Sequence, residues 1–289
     1  MPTLDPIWLD AQYNNRARIA DHAQLFERWA RASQQARREQ PAHLDLRYGD
    51  HPAETLDIFP APDRSAPVFV FIHGGYWRSL DKRDHSFVAP ALTRAGAMVV
   101  VPNYALCPSV NIETIVMQMV RALAWVHRHA AHYGGDPTRI VVAGHSAGGH
   151  LAAMLLACRW ADVGRDLPAA LVRKALSISG LFDLEPLRHA PHLQLDLRLT
   201  RQSARRLSPA RFPAPAGELH AVVGALESEE FLRQNALIRE KWGTRAVPSC
   251  EAIAGCNHLN IVEGLADPQT RLHWLALDLL GLAPHRRGG

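Results

Sequence analysis

Residues 68–72 form a continuous apolar run, which predicts a strand buried on both faces, and apolar-rich stretches at 98–102, 140–143, 175–179, 219–223 and 250–253 read as further strands. Helical periodicities separate them, predicting helices over 81–95, 112–133, 147–158, from Ser228 onward, and over about 267–280. Ser228 suits an N-cap, with Glu229 and Glu230 in the first turn, where acids complement the helix dipole. Upstream, Leu25, Phe26, Trp29 and Ala32 recur at helical spacing and predict an amphipathic helix over 21–38. Leu44, Leu46 and Tyr48 alternate, so 43–48 reads as a strand; Gly49-Asp50 turns it into a second at 55–59. Tyr13-Asn14-Asn15-Arg16 reads as a turn. Strands alternating with helices argue a mostly parallel sheet with helices on both faces and an antiparallel hairpin at its start.

The chain has 289 residues, 47% of them hydrophobic, enough for one large core, so 1–289 reads as a single domain. Within it, residues 1–40 form an N-terminal helical extension. Residues 184–212, rich in Leu, Arg and His without a clean strand, form short helices as a partial lid. The net charge of +4 comes almost wholly from arginines scattered among acids. Their densest group, Arg201, Arg205 and Arg206, is short and lacks interleaved aromatics, which argues against nucleic-acid binding. Cys107, Cys158, Cys250 and Cys256 have neither disulfide-framework nor zinc spacing, as expected in a reducing compartment. His127, His129 and His132 scatter around a helix C-terminus, where histidines are favourable anyway, so neither a metal nor another cofactor is expected. Met1–Asp5 lacks a basic or apolar leader, and no apolar run is long enough to span a bilayer; a soluble, cytoplasmic protein without membrane partners is expected. The residues leave the oligomeric state open, a homodimer included.

The chemistry concentrates at Gly144-His145-Ser146-Ala147-Gly148, which joins the 140–143 strand to the 147–158 helix. Gly-x-Ser-x-Gly in that setting predicts a nucleophile elbow: a sharp turn presents the serine hydroxyl, and glycines remove the Cβ atoms that would clash. A serine needs an imidazole to take its proton, and the imidazole needs a carboxylate. Glu227 and His258 follow later strands, giving the order serine, acid, histidine found in α/β-hydrolases. Asp183 also follows a strand and competes for the acid role. The Ala147 amide is placed to stabilise an oxyanion, and the Gly74-Gly75 turn can add others. His73 is expected to buttress its loop. Tyr76 and Trp77 are expected to wall the substrate pocket and narrow its acyl side; the alternative is that both rings turn into the core.

These stretches resemble the kynurenine formamidase (arylformamidase) branch of the α/β-hydrolases, near the hormone-sensitive-lipase-like esterases. The resemblance rests on His73-Gly74-Gly75-Tyr76-Trp77, Gly144 to His150, Glu227 to Gln234, Asn257-His258 with Ile261-Val262-Glu263, and Tyr13 to Arg16. It implies an α/β-hydrolase fold with Ser146 as nucleophile and His258 as base, and oxyanion amides from Gly75, Tyr76 and Ala147. The chain departs from the family at the acid, where Glu227 stands for the usual aspartate. The resemblance implies hydrolysis of an aryl formamide, N-formylkynurenine to kynurenine and formate, with esterase activity on small aryl esters. A general short-chain carboxylesterase is the alternative, and a non-catalytic hydrolase-fold binding protein a third reading.

Overall fold

The computed structural model describes residues 4–283; residues 1–3, where the leader reading begins, and 284–289 lie outside them. The chain opens with helices α1 (Pro6–Tyr13), α2 (Asn15–Arg18) and α3 (His22–Glu39), followed by strands β1 (His43–Arg47), β2 (Thr55–Phe59) and β3 (Ala66–Ile72). Next come α4 (Ala89–Arg94), β4 (Met98–Pro102), α5 (Ile112–His129), β5 (Gly135–His145), α6 (Ala147–Leu156), α7 (Trp160–Val163) and β6 (Lys174–Ile178). Short helices α8 (Pro191–Leu197) and α9 (Arg201–Arg206) precede β7 (Glu218–Gly224), α10 (Glu229–Ala246), β8 (Cys250–Ile253) and α11 (Arg271–Leu280).

The strands form one eight-stranded sheet in the order β1-β2-β4-β3-β5-β6-β7-β8. β2 runs antiparallel to β1 and β4, and the remaining pairs are parallel. Alternation along β3 divides the interior. Val68, Val70 and Ile72 face a core built with α5, α6 and α10, while Phe69 and Phe71 face a second core built with α3, α4 and α11. Every residue of β3 is buried, which is why the run carries no polar alternation. The sheet thus has helices on both faces, the α/β-hydrolase architecture expected from the sequence.

Several elements differ from the sequence expectation in ways that have local causes. The helix predicted over 81–95 is a pair of 3-10 turns, Lys82–Asp84 and Ser86–Val88, with α4 beginning only at Ala89. Pro90 lacks an N–H and fits the first turn of a helix, so it starts α4 and cannot sit inside a longer one. The first turn at Asp81 is closed by a capping box with Asp84. α11 begins at Arg271, where the Thr270 side chain caps His273 N–H. The segment read as a turn at 13–16 joins two short helices, with Asn14 closing α1 and capping α2.

The N-terminal helices are fastened to the sheet by buried charge. Lys82 is 1% exposed, and its Nζ lies 2.5 Å from Asp57 Oδ1 and 2.6 Å from Asp45 Oδ1. Arg37 of α3 pairs with the same Asp57. A carboxylate fully removed from water needs such partners. At the other end Tyr13 donates to Glu230 Oε2 at 2.5 Å, which ties α1 to α10.

Candidate active site

β5 ends at His145, and Ser146 adopts φ 57°, ψ −115° before α6 begins. That strained turn is tolerated because its neighbours are glycines. A Cβ on Gly144 would lie 2.2 Å from Gly148 O, and one on Gly148 would lie 2.0 Å from Ile72 O. Ser146 is only 2% exposed, so the hydroxyl sits under a roof and not on an open surface.

The structure brings the sequence-selected chemical groups together. Ser146 Oγ lies 3.0 Å from His258 Nε2, and His258 Nδ1 donates to Glu227 Oε2 at 2.6 Å. Glu227 Oε1 accepts from Gly224 N–H at 2.7 Å and from Ser179 Oγ at 2.5 Å. The carboxylate is therefore held at both oxygens, one fixing its position and the other meeting the imidazole. Phe231 packs its ring against His258 at 4.3 Å between centroids, and His145 Nε2 donates to the His258 carbonyl at 2.7 Å. Asp183 does not reach this chain. Its backbone is held by Gln234, and its carboxylate lies 3.3 Å from Glu185 N–H and 3.8 Å from Arg211.

The loop after β3 passes beside the serine: a Cβ on Gly74 would lie 3.1 Å from Ser146 Cβ. Gly75 takes φ +100°, and a Cβ there would lie 2.1 Å from Ser79 O, so only glycine fits this turn. Among the described residues, the Gly75, Tyr76 and Ala147 amides have no backbone or side-chain acceptor. Unused amides beside a nucleophile can stabilise a developing oxyanion. His73 stacks on Tyr104 at 4.2 Å, and its Nδ1 donates to Gly74 O, while Tyr104 donates to His73 O at 2.9 Å. His73 braces the loop.

Tyr76 and Trp77 part company. Both have φ near 50°, and this left-handed winding sends successive side chains in different directions. The Tyr76 ring lines the cavity beside Ser146, and its hydroxyl donates to Tyr13 O at 2.7 Å. Trp77 corrects the expectation of a pocket wall. It is wholly buried in the core, edge-on to His150 at 5.0 Å, and does not line the cavity.

The cavity over Ser146 encloses about 200 Å³. Its far wall comes from the N-terminal segment: Tyr13, Asn14, Asn15, Arg16, Phe26 and Trp29. Sequence reasoning placed none of these in the site; the only signal was that 13–16 belonged to the family resemblance. Short helices from 184–212 contribute His192 and Asp196. Among the described residues no cluster of His, Cys, Asp and Glu could hold a metal ion, and no helix is long and apolar enough to cross a membrane.

Two of the buried histidines near this apparatus contribute to the acid dependence of stability. Burial pushes His150 down to about 4; burial, followed by the neighbouring His73, pushes His85 down to about 3. Both stay neutral in the folded chain, whereas an unfolded histidine takes a proton near pH 6.5. Their contribution is thus complete above pH 6.5 and is lost as pH falls towards 4, by up to about 1.4 kcal/mol per unit for each ring. Thermal melts should show Tm falling across that window. The fall should be shallower in His150→Gln, which can still donate to Leu207 O; an unchanged slope would contradict the assignment.

A parallel sheet with this elbow, and a histidine and an acid following later strands, defines an α/β hydrolase. The chain belongs to that family: the α/β hydrolase fold family match spans residues 69–236. It is similar to the kynurenine formamidase of Danio rerio, 29% identical over 249 residues and 82% of each chain. It also resembles the kynurenine formamidase of Drosophila melanogaster, 28% identical over 84% of each. Among solved structures, a thioesterase candidate from Silicibacter sp. TM1040 superposes with TM-score 0.80. It is 32% identical, with 91% of this chain and 97% of that one covered.

Proposed function

We propose that the protein is a serine hydrolase that removes a formyl or acetyl group from an aryl amide or ester, with N-formylkynurenine as the reference substrate. Ser146 attacks the acyl carbon while His258 takes its proton. Glu227 fixes the imidazole tautomer and stabilises its charged form. The Gly75, Tyr76 and Ala147 amides hold the oxyanion. His258 then protonates the departing amine or alcohol, and water releases formate or acetate from the acyl-enzyme by the reverse sequence. In this reading 1–289 works as one domain, whose 1–40 segment and 184–212 insertion wall the substrate. No cofactor is required by the chemistry.

The observation that supports the acyl-size reading is the Tyr76 side chain lining the cavity of about 200 Å³ beside Ser146. Pockets for drug-sized ligands usually hold about 300–1,000 Å³. The aromatic faces of Phe26, Trp29 and Tyr76 suit an aryl leaving group. The formamidase relatives, aligned over most of their length, support formyl as the acyl group. A general short-chain carboxylesterase is the second reading, favoured by a 35% identical stretch of 159 residues in the probable carboxylic ester hydrolase LipM of Mycobacterium tuberculosis.

Phenyl esters from acetyl to octanoyl test pocket size. Overfilling typically costs about 1–3 kcal/mol, or some 5- to 150-fold, so kcat/KM should drop steeply beyond butyryl. A steady rise to octanoyl would overturn the small-acyl reading. The ratio of kcat/KM for N-formylkynurenine to that for phenyl acetate separates the formamidase from the esterase.

A further inference from the structure

Charge is distributed unevenly around the cavity. Arg78 is already committed: it lies 2.6 Å from Asp196 Oδ2 and donates to His192 O at 2.7 Å. His192 in turn lies 2.6 Å from Asp10. Arg16 is different. It lines the same cavity, is exposed, and among the described residues has no carboxylate within ion-pair distance. Its guanidinium lies 5.4 Å from the centre of the Phe26 ring. A guanidinium resting on an aromatic face is held in place while its N–H edge stays free, the geometry that takes a carboxylate in a fork.

We infer that Arg16 recognises a carboxylate on the leaving group, so that the site selects anionic aryl esters and amides over neutral ones. This rests on the proposed reading of the cavity as the acyl-transfer site, but not on formyl being the acyl group. Binding energy so placed acts on the leaving group, away from the bond being cleaved. It should therefore enter through KM more than through kcat.

The test uses acetyl esters in matched pairs: 4-acetoxybenzoate against 4-acetoxybenzamide, and 3-(4-acetoxyphenyl)propanoate against its amide. Each pair has similar bulk and differs in charge, and comparing variant with wild type cancels intrinsic reactivity. Arg16→Gln should lower kcat/KM for at least one anionic member by about tenfold, mainly in KM, and leave its amide within about twofold. Arg16→Lys should recover part of the loss. Salt should weaken the wild-type preference for the anion and leave the Arg16→Gln enzyme almost unaffected. Equal losses on both members of each pair, or no loss on either anion, would overturn the inference. N-formylkynurenine left uncleaved by an enzyme that keeps the Arg16-dependent anion preference would sink the formamidase reading and leave this inference standing.

Discussion

Ser146→Ala should lower kcat by roughly four to six orders of magnitude on any ester or formamide the protein cleaves. The hydroxyl lies 3.0 Å from His258 Nε2, placed to lose its proton to the imidazole as it attacks. Catalysis of roughly 10³-fold over water should survive, because the Gly75, Tyr76 and Ala147 amides remain. The fold should survive as well. Alanine keeps the Cβ that the elbow already accommodates, and the turn is held by Ser146 N–H to Ile178 O at 2.8 Å and His150 N–H to Ser146 O at 3.1 Å. Activity assays alongside thermal melts check both parts. Near-normal turnover in a folded sample would contradict the mechanism.

Glu227→Gln should lower kcat by about 10³- to 10⁴-fold, while Asp183→Asn should change it by no more than a few-fold. Glu227 meets His258 with one oxygen, and its other oxygen is fixed by Gly224 N–H and Ser179. A neutral amide there can neither stabilise the imidazolium nor guarantee the tautomer that leaves Nε2 free to accept from Ser146. Asp183 makes only a local turn contact and a long approach to Arg211. Kinetics on the two purified variants decide between the carboxylates. A crippled Asp183→Asn enzyme would contradict the geometry.

Ser146 was legible because it follows the apolar stretch 140–143 and because the elbow needs glycine at 144 and 148 for steric reasons, whereas Glu227 and His258 were picked out only by their place after the strands at 219–223 and 250–253. The Glu227 carboxylate is held by two hydrogen bonds besides the one to His258. One comes from Ser179, whose φ of 53° at the end of β6 no periodicity announces. The direction of Trp77 was not legible. Adjacent bulky residues in a loop give no period, and only the left-handed winding after Gly75 separates them. The N-terminal wall was hidden for a different reason. Tyr13 meets Glu230 across 217 positions, and Arg37 meets Asp57 through a buried cluster. Local pattern predicts that α3 is amphipathic but says nothing of where its apolar face docks. Trp29 and Phe26 could therefore be assigned to a helix from sequence, and to the substrate cavity only from the structure.

The central claim is that acyl transfer passes through Ser146 Oγ. Titration with an aryl phosphonate ester that traps activated serines, followed by peptide mass spectrometry, tests it directly. Inactivation should be complete at one phosphonyl group per chain, with the added mass on the peptide carrying Ser146, and Ser146→Ala should take up none. Full activity after quantitative modification of Ser146, or stoichiometric inactivation with the adduct on another residue, would contradict the account.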